Sequence, residues 1–413
     1  MRKTFKYRAY PTSGQETALH KIFSECCWVY NETLASKKAL WDHAGENLTY
    51  IDAIKMLPAW KRMRQSLKTV FSQCLQDAQK RVDLAFSAFY RRVKAGEKPG
   101  YPRFKSWRRY DSVTYPQYGF GVKLVGDLLS VSKVGSLRLI LHRPIEGIVK
   151  TVNIHRTSTG KWFVCFSCEV EAKAPCSPAP EEIVGIDLGL KTFAMLSNGK
   201  KIRRQRFFKQ EQDALAKAQR RLEKFSKGTP EREHAKGVVS RIHERIGNRR
   251  DNFAHQESRK LVDGYGILCF EDLNIKGMLE EREYSKSISD AAWRKLVQFS
   301  VYKAVEAGRR VVLVDPKGTS QRCSRCGTVV PKDITVRVHD CSVCGLKVDR
   351  DLNSSWEVLN LGVDILKPEM PWLLDKRMDT REKERLGLQS QADDAPLKAA
   401  LLPRSRAALA AAE

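Results

Sequence analysis

The sequence predicts a multidomain α/β chain: a β-rich unit carrying a helical insertion, then an α/β domain interrupted by a four-cysteine knuckle. Three observations predict it. Short β-rich runs lie on both sides of a long helical stretch in the first 171 residues. From residue 181 onward the element order reads β-β-α-β-α-β. Two Cys-x-x-Cys-Gly turns stand at 323–327 and 341–345.

The elements follow in order. In MRKTFKYRAYP, Phe5, Tyr7 and Ala9 fall on one face of a strand, with Lys6 and Arg8 on the other. Ser13-x-x-Glu16 reads as a capping box. Leu19, Ile22, Phe23, Val29, Tyr30 and Leu34 then recur at roughly helical spacing. A second helical stretch is expected from about Pro58 to Lys94, so residues 13–95 read as a helical unit. From Gly100 to about Glu171 the runs VKLV, LLSVS, LRLIL, VKTVNIHR and WFVCFSCEV are punctuated by Gly, Asn, Asp and Pro. They predict a small β-barrel or curled sheet, with the N-terminal strand as the candidate to complete it. Ala172 to Pro180 is a linker by composition.

EEIVGIDLGLKTFAMLSNGK predicts two strands around a tight connection. A basic helical hairpin follows from about Gln210 to Asp263. Its break is Gly228-Thr229-Pro230, with Thr229 as N-cap and Pro230 at the first helical position. A buried strand (GILCFEDL), a helix from about Ile288 to Ala307 and another strand (RRVVLVDP) complete the domain. From Arg377 the chain mixes charges and ends Ala-rich; this tail is expected to be frayed or disordered and carries no assigned chemistry.

The chain has 413 residues, with 74 Lys and Arg against 48 Asp and Glu, a formal net charge of +26. That excess repels itself unless a polyanion neutralises it, and it recurs in nearly every segment, which points to a long nucleic acid. No run of about 18 apolar residues and no N-terminal signal pattern appears, so the expectation is a cytosolic protein without a membrane span. The eleven cysteines are an odd number and, the late pairs aside, lack disulfide-like spacing, which fits a reducing compartment.

Cys323, Cys326, Cys341 and Cys344 are the strongest local signal. Two matched turns with a following Gly present four thiolates to one Zn²⁺, and four thiolates leave no open position, so the metal is structural. Cys165 and Cys168 share the same spacing within a strand, where residues three apart face opposite sides; they are read as structural.

Asp187 interrupts an apolar strand, IVGIDLGL, and reads as a turn residue before Gly189 or as a metal ligand. Glu271 ends a second apolar strand, and Asp351 opens a helix beyond the knuckle. Gathered without a cation they would repel each other. Around Mg²⁺ they would form the hard oxygen site of phosphoryl transfer. Spacing alone leaves Asp272, Asp315 and Asp349 as rivals.

The stretches GIDLGLKTFA, FEDLNIKGM, SISDAAW, TSQRCSRCG and CSVCGLKVDRDLNSSWEVL, with YRAYPTSGQ, VYN, LTY and FYRRVKAGEKPGYPRF earlier, resemble the TnpB family over about residues 1–360. That family comprises transposon-encoded RNA-guided DNA endonucleases ancestral to compact type V CRISPR effectors. The resemblance implies an RNase H-like (RuvC) nuclease domain at 181–317 and 346–362, with a zinc knuckle inserted at 318–345. It also implies a β-barrel wedge domain at 1–12 and 100–175, carrying a helical recognition lobe at 13–99; residues 375–413 are left as a disordered tail. It selects Asp187, Glu271 and Asp351 as the catalytic triad, with about two Mg²⁺. It implies a guide RNA from the transposon end, one protein per RNA, and a double-stranded DNA target beside a short adjacent motif. In such systems base pairing reads most of the target. Tyr50 and Gln76 align roughly with positions that read the adjacent motif in relatives. The family usually carries two alanines where this chain has Ser354 and Ser355, a change expected to pack within a helix. A guide-dependent repressor without cleavage and an end-joining transposase are the competing classes.

Overall fold

In a computed structural model, the structure describes residues 1–171, 182–280, 292–333, 336–370 and 373. The composition-defined linker, the C-terminal tail and most of SISDAAW lie outside the described residues. The chain divides into two compact units, Met1–Glu171 and Ala172–Glu413.

The first unit begins with β1 (Arg2–Tyr10), followed by α1 (Ser13–Ala44), α2 (Tyr50–Met63) and α3 (Ser72–Lys94). Six strands complete it: β2 (Ser112–Tyr115), β3 (Val122–Val125), β4 (Leu128–Val131), β5 (Gly135–Ile140), β6 (Ile148–Arg156) and β7 (Trp162–Glu169). They form one antiparallel sheet in the order β2-β6-β7-β1-β5-β4-β3. The N-terminal strand is therefore central, paired with β7 on one side and β5 on the other. β2 and β3 are not bonded to each other, so the sheet stops short of a closed barrel.

Period-2 alternation is obeyed along β1. Phe5, Tyr7 and Ala9 are buried while Lys6 is exposed. The same rule separates Cys168, fully buried, from Cys165, half-buried on the other face of β7. Helices and sheet share a single apolar core, in which Leu19, Phe23, Tyr30 and Val82 meet Phe5, Tyr115 and Phe166. Trp162 fastens the two layers: it packs on Phe23, and its Nε1 donates to Glu16 Oε1 at 2.8 Å.

Two helix starts differ from the sequence reading. The N-cap of α1 is Thr12 rather than Ser13, and the box closes with Gln15 rather than Glu16. Glu16 is instead the acceptor for Trp162. The second helical stretch begins at Tyr50, because Thr49 Oγ1 caps it by accepting from Asp52 N at 3.2 Å. Pro58 thus lies inside α2, and the stretch breaks at Arg64 into a 3-10 turn before α3.

The second unit opens with β8 (Ile183–Leu188) and β9 (Ala194–Leu196), the two strands expected within residues 181–200, and then β10 (Lys201–Ile202), which the sequence reading did not include. The basic hairpin is α4 (Phe207–Glu223) and α5 (Pro230–Gly264), with Thr229 capping α5 and Pro230 first in the helix. Then come β11 (Ile267–Glu271), the short α6 (Ile275–Glu280), α7 (Trp293–Glu306) and β12 (Arg310–Val314). The knuckle contributes the two-stranded β13 (Val338–Asp340) and β14 (Lys347–Asp349), and α8 (Arg350–Leu366) follows directly. The sheet order is β10-β9-β8-β11-β12, with β8, β11 and β12 parallel and the first two strands antiparallel.

Helix α8 lies flush on this sheet. A methyl group on Gly185 of β8 would collide with the backbone of Ser355 and Leu359, and one on Gly362 with the Cys269 sulfur. Only small residues fit such an approach. Ser354 and Ser355 are both buried, and each hydroxyl donates within the helix, to Arg350 O at 3.0 Å and Leu352 O at 2.8 Å. Serine here meets the same space requirement as alanine and leaves no polar group unpaired.

Among the described residues, no helix is long and apolar enough to cross a membrane.

Candidate metal centres

The thiolate site forms from two similar turns. Gly327 N donates to Cys323 O and Gly345 N to Cys341 O, each at 2.8 Å. Cys323 N and Cys341 N in turn donate to Thr328 O and Leu346 O, each at 2.9 Å. Gly327 and Gly345 adopt φ of 78° and 72°, the left-handed region their position demands. The four sulfurs lie within 4.8 Å of one another. The closest cross-turn pairs, Cys323–Cys344 and Cys326–Cys341, stand 3.5 and 3.6 Å apart. Thiolates arranged tetrahedrally around zinc at about 2.3 Å would be ~3.8 Å apart, whereas a disulfide needs about 2.05 Å. The cluster therefore has the donor type, number and spacing of a closed zinc site.

The carboxylate site depends on strand register. β8 and β11 pair in parallel through Ile186 and Phe270. One residue further on, Asp187 and Glu271 stand side by side at the carboxyl ends of their strands. Asp351 arrives from α8, in its first turn, where the helix N-terminus favours a negative charge.

Electrostatics registers the convergence. Burial pushes the Asp187 carboxyl well above the usual carboxylate range, and the negative charges of Glu271 and Asp351 push it further. Burial pushes Glu271 up to about 7, against a hydrogen bond from Thr319. That bond runs from Thr319 Oγ1 to Glu271 Oε1 at 2.5 Å. Arg337 and Arg350 each approach Asp351 Oδ1 at 3.6 Å. Asp187, a buried carboxyl that feels the charges of Glu271 and Asp351, belongs to a donor set suited to a hard divalent cation such as Mg²⁺.

Two of the three rivals are occupied otherwise. Asp349 caps α8, accepting from Asp351 N at 2.9 Å and Leu352 N at 3.3 Å. Asp315 accepts from Lys317 N at 3.0 Å in an exposed turn. Asp272 is exposed and lines a cavity of about 450 Å³ beside Glu271, together with Trp293 and Arg294.

The structure also ties the two centres together, through residues that sequence reasoning did not single out. Asn353 of α8 is fully buried; its Oδ1 accepts from Ser324 N at 3.1 Å, and its Nδ2 donates to Arg322 O at 2.8 Å. Asn360 Nδ2 donates to Ser324 O at 2.9 Å, and Arg322 pairs with Glu357 at 3.5 Å. These contacts lock the first cysteine turn onto the helix that carries Asp351.

Tyr50 and Gln76 stand apart from both centres in sequence, in the first unit. Tyr50 opens α2 and Gln76 lies on α3, both half-buried, on helices joined by Gln79 Nε2 donating to Ala53 O at 2.6 Å. Burial raises the Tyr50 hydroxyl's pKa, as do the charges of Asp77 and Asp83.

The chain matches a 32% identical protein of Streptomyces pristinaespiralis, named "Putative RNA-guided DNA endonuclease", over 98% of this chain and 99% of that one. The chain belongs to the TnpB family. A family model described as "Probable transposase" matches residues 165–282, and a "Cas12f1-like, TNB domain" model matches 293–358. A "Helix-turn-helix domain" model matches residues 1–46, which here form one strand and the single long helix α1. The Escherichia coli K12 protein named "Putative RNA-guided DNA endonuclease InsQ" is 28% identical, over 88% of this chain and 93% of that one. A solved Cas12f1-sgRNA-target DNA complex shares the fold at a TM-score of 0.55 and 15% identity, over 87% of this chain and 99% of that one.

Proposed function

We propose that the protein is an RNA-guided DNA endonuclease. It takes a guide RNA from the transposon end, one protein per RNA, and cuts double-stranded DNA beside a short adjacent motif. One observation carries the reading: three carboxylates from distant sequence positions converge at the strand ends of a chain whose end-to-end relative is named for this activity.

In this reading Asp187, Glu271 and Asp351 hold Mg²⁺, two ions in the full site. Bound there, magnesium supplies charge neutralisation at the scissile phosphate and an activated water. The protein's part is positional. Strand register fixes Asp187 beside Glu271, α8 delivers Asp351, and Asp349 spends its own carboxylate on the cap so that Asp351 stays available. The four cysteines hold structural zinc. Base pairing with the guide selects most of the target, so the protein's cations grip the backbone. Tyr50 and Gln76 are assigned to reading the adjacent motif.

The test uses protein purified with its own RNA and a matching duplex in Mg²⁺. Wild type cuts, while Asp187→Ala loses at least about a thousand-fold in rate and keeps its RNA and zinc. Equal cutting by the two sinks the site. Strand transfer of transposon ends by the protein alone would favour the transposase reading that one family description suggests.

A further inference from the structure

We propose that Thr319 is a positioning residue for the nuclease site: its hydroxyl fixes the Glu271 carboxylate, and the turn it sits on yokes that carboxylate to the four-cysteine knuckle. The inference rests on the reading of Asp187, Glu271 and Asp351 as a cation site.

Glu271 closes β11, where Asp272 N donates to Val314 O at 2.8 Å and so anchors the strand end. Anchoring the backbone does not orient the side chain, which still rotates about its own bonds. Thr319 supplies that restraint. Its side chain is buried, and its one hydroxyl proton has two acceptors in reach, Glu271 Oε1 at 2.5 Å and Pro316 O at 3.0 Å. The shorter bond, to a group that carries charge when ionised, is the stronger. It occupies one carboxylate oxygen and leaves the other to a cation. Partners of this kind fix the geometry of metal-binding carboxylates.

The turn is itself held. Gly318, at φ 82°, offers its carbonyl to Gln321 N at 3.0 Å and to Arg322 N at 2.9 Å. Within the same six residues, 319–324, Arg322 and Ser324 make the contacts to Asn353, Glu357 and Asn360 on α8. Cys323, a thiolate ligand, lies in that stretch as well. One short segment therefore touches Glu271, the helix bearing Asp351, and the zinc cluster.

The test compares Thr319→Val, which keeps the shape and removes the hydroxyl, with Thr319→Ser, which keeps the hydroxyl. Each protein is zinc-loaded and purified with its RNA. Mn²⁺ binding is measured by electron paramagnetic resonance, with the Asp187→Ala signal subtracted as the RNA background; zinc content and the Mg²⁺ concentration for half-maximal cutting are measured alongside. Thr319→Val should weaken Mn²⁺ binding and raise the Mg²⁺ requirement by roughly ten-fold, with zinc unchanged, and Thr319→Ser should restore both. Wild-type Mn²⁺ binding by Thr319→Val overturns the inference. So does equal weakening in both variants with loss of zinc, which marks a packing role. If Asp187→Ala binds Mn²⁺ and cuts like wild type, the cation-site reading itself fails.

Discussion

The two candidate centres differ in how far along the chain their side chains are gathered. The cysteines span residues 323–344, and each pair sits in a turn that closes on its own backbone. The acids come from positions 187, 271 and 351, and nothing local holds them together. The knuckle is thus a local structure that metal itself can complete, since a structural zinc site contributes folding free energy directly. The carboxylate site exists only after a parallel strand pair and a helix have packed. Local sites are legible and self-contained; distributed ones inherit every defect of the fold that assembles them.

The comparison breaks if the knuckle proves independent of the acids. Cys341→Ser should abolish stoichiometric zinc and, because the first cysteine turn is locked onto α8, lower cutting by about ten-fold or more, the range seen when outer-shell support is lost. Metal analysis and a cleavage assay on the same sample check both. Normal cleavage without zinc would show that the knuckle is peripheral to the acids.

A substitution under α8 should show the reverse asymmetry. Gly185→Ala places a methyl group against the backbone of Ser355 and Leu359, so helix and sheet must separate. The expected loss is about 3 kcal/mol, in the range of core overpacking, seen as a lower denaturation midpoint with cutting impaired and the zinc turns intact. Ser355→Ala is the control, since its hydroxyl bonds only within its own helix; it should change stability by about 0.5 kcal/mol or less. A Gly185→Ala protein as stable as wild type would contradict the flush packing.

The last test concerns protons. In metal-free protein, burial holds the Glu271 carboxyl up at about 7, against an ordinary value of 4.5. A raised acid in the folded state keeps its proton where the unfolded chain has lost it. Its contribution is therefore full below about pH 4.5 and falls as pH rises toward 7. At about 1.4 kcal/mol per unit, up to ~3 kcal/mol is at stake. Glu271→Gln should flatten that slope and raise metal-free stability at neutral pH, whereas Mg²⁺ should stabilise only wild type. Denaturation at pH 5 and 7.5, with and without Mg²⁺, measures it. Identical pH dependence in both proteins would show that Glu271 does not carry the strain of the metal-free site.

Much was legible in advance where the physics is short-range. Alternation along β1, the cap and proline at Thr229-Pro230, and the glycines after each cysteine pair are all local rules, and each is seen in the structure. The N-cap of α1 is one residue earlier than expected because Thr12 and Gln15 form an equally local box, and Glu16 is instead the acceptor for Trp162, 146 positions away. Pro58 was read as a helix start although Thr49-x-x-Asp52, a capping pattern legible in the sequence, already starts the helix at Tyr50. The carboxylates were the hardest case. Sequence spacing left six candidates, and the family resemblance selected three of them.

By itself the sequence determined the knuckle's four-cysteine pattern, the excess of positive charge and the alternation of the first strand, since each follows from spacing within a few residues or from composition. Only the tertiary structure decided that Asp349 caps a helix, that Glu271 is buried while Asp272 is exposed at a cavity, and that Thr319 is Glu271's partner. Those outcomes turn on strand register and helix docking, where a shift of one residue moves a side chain to the opposite face.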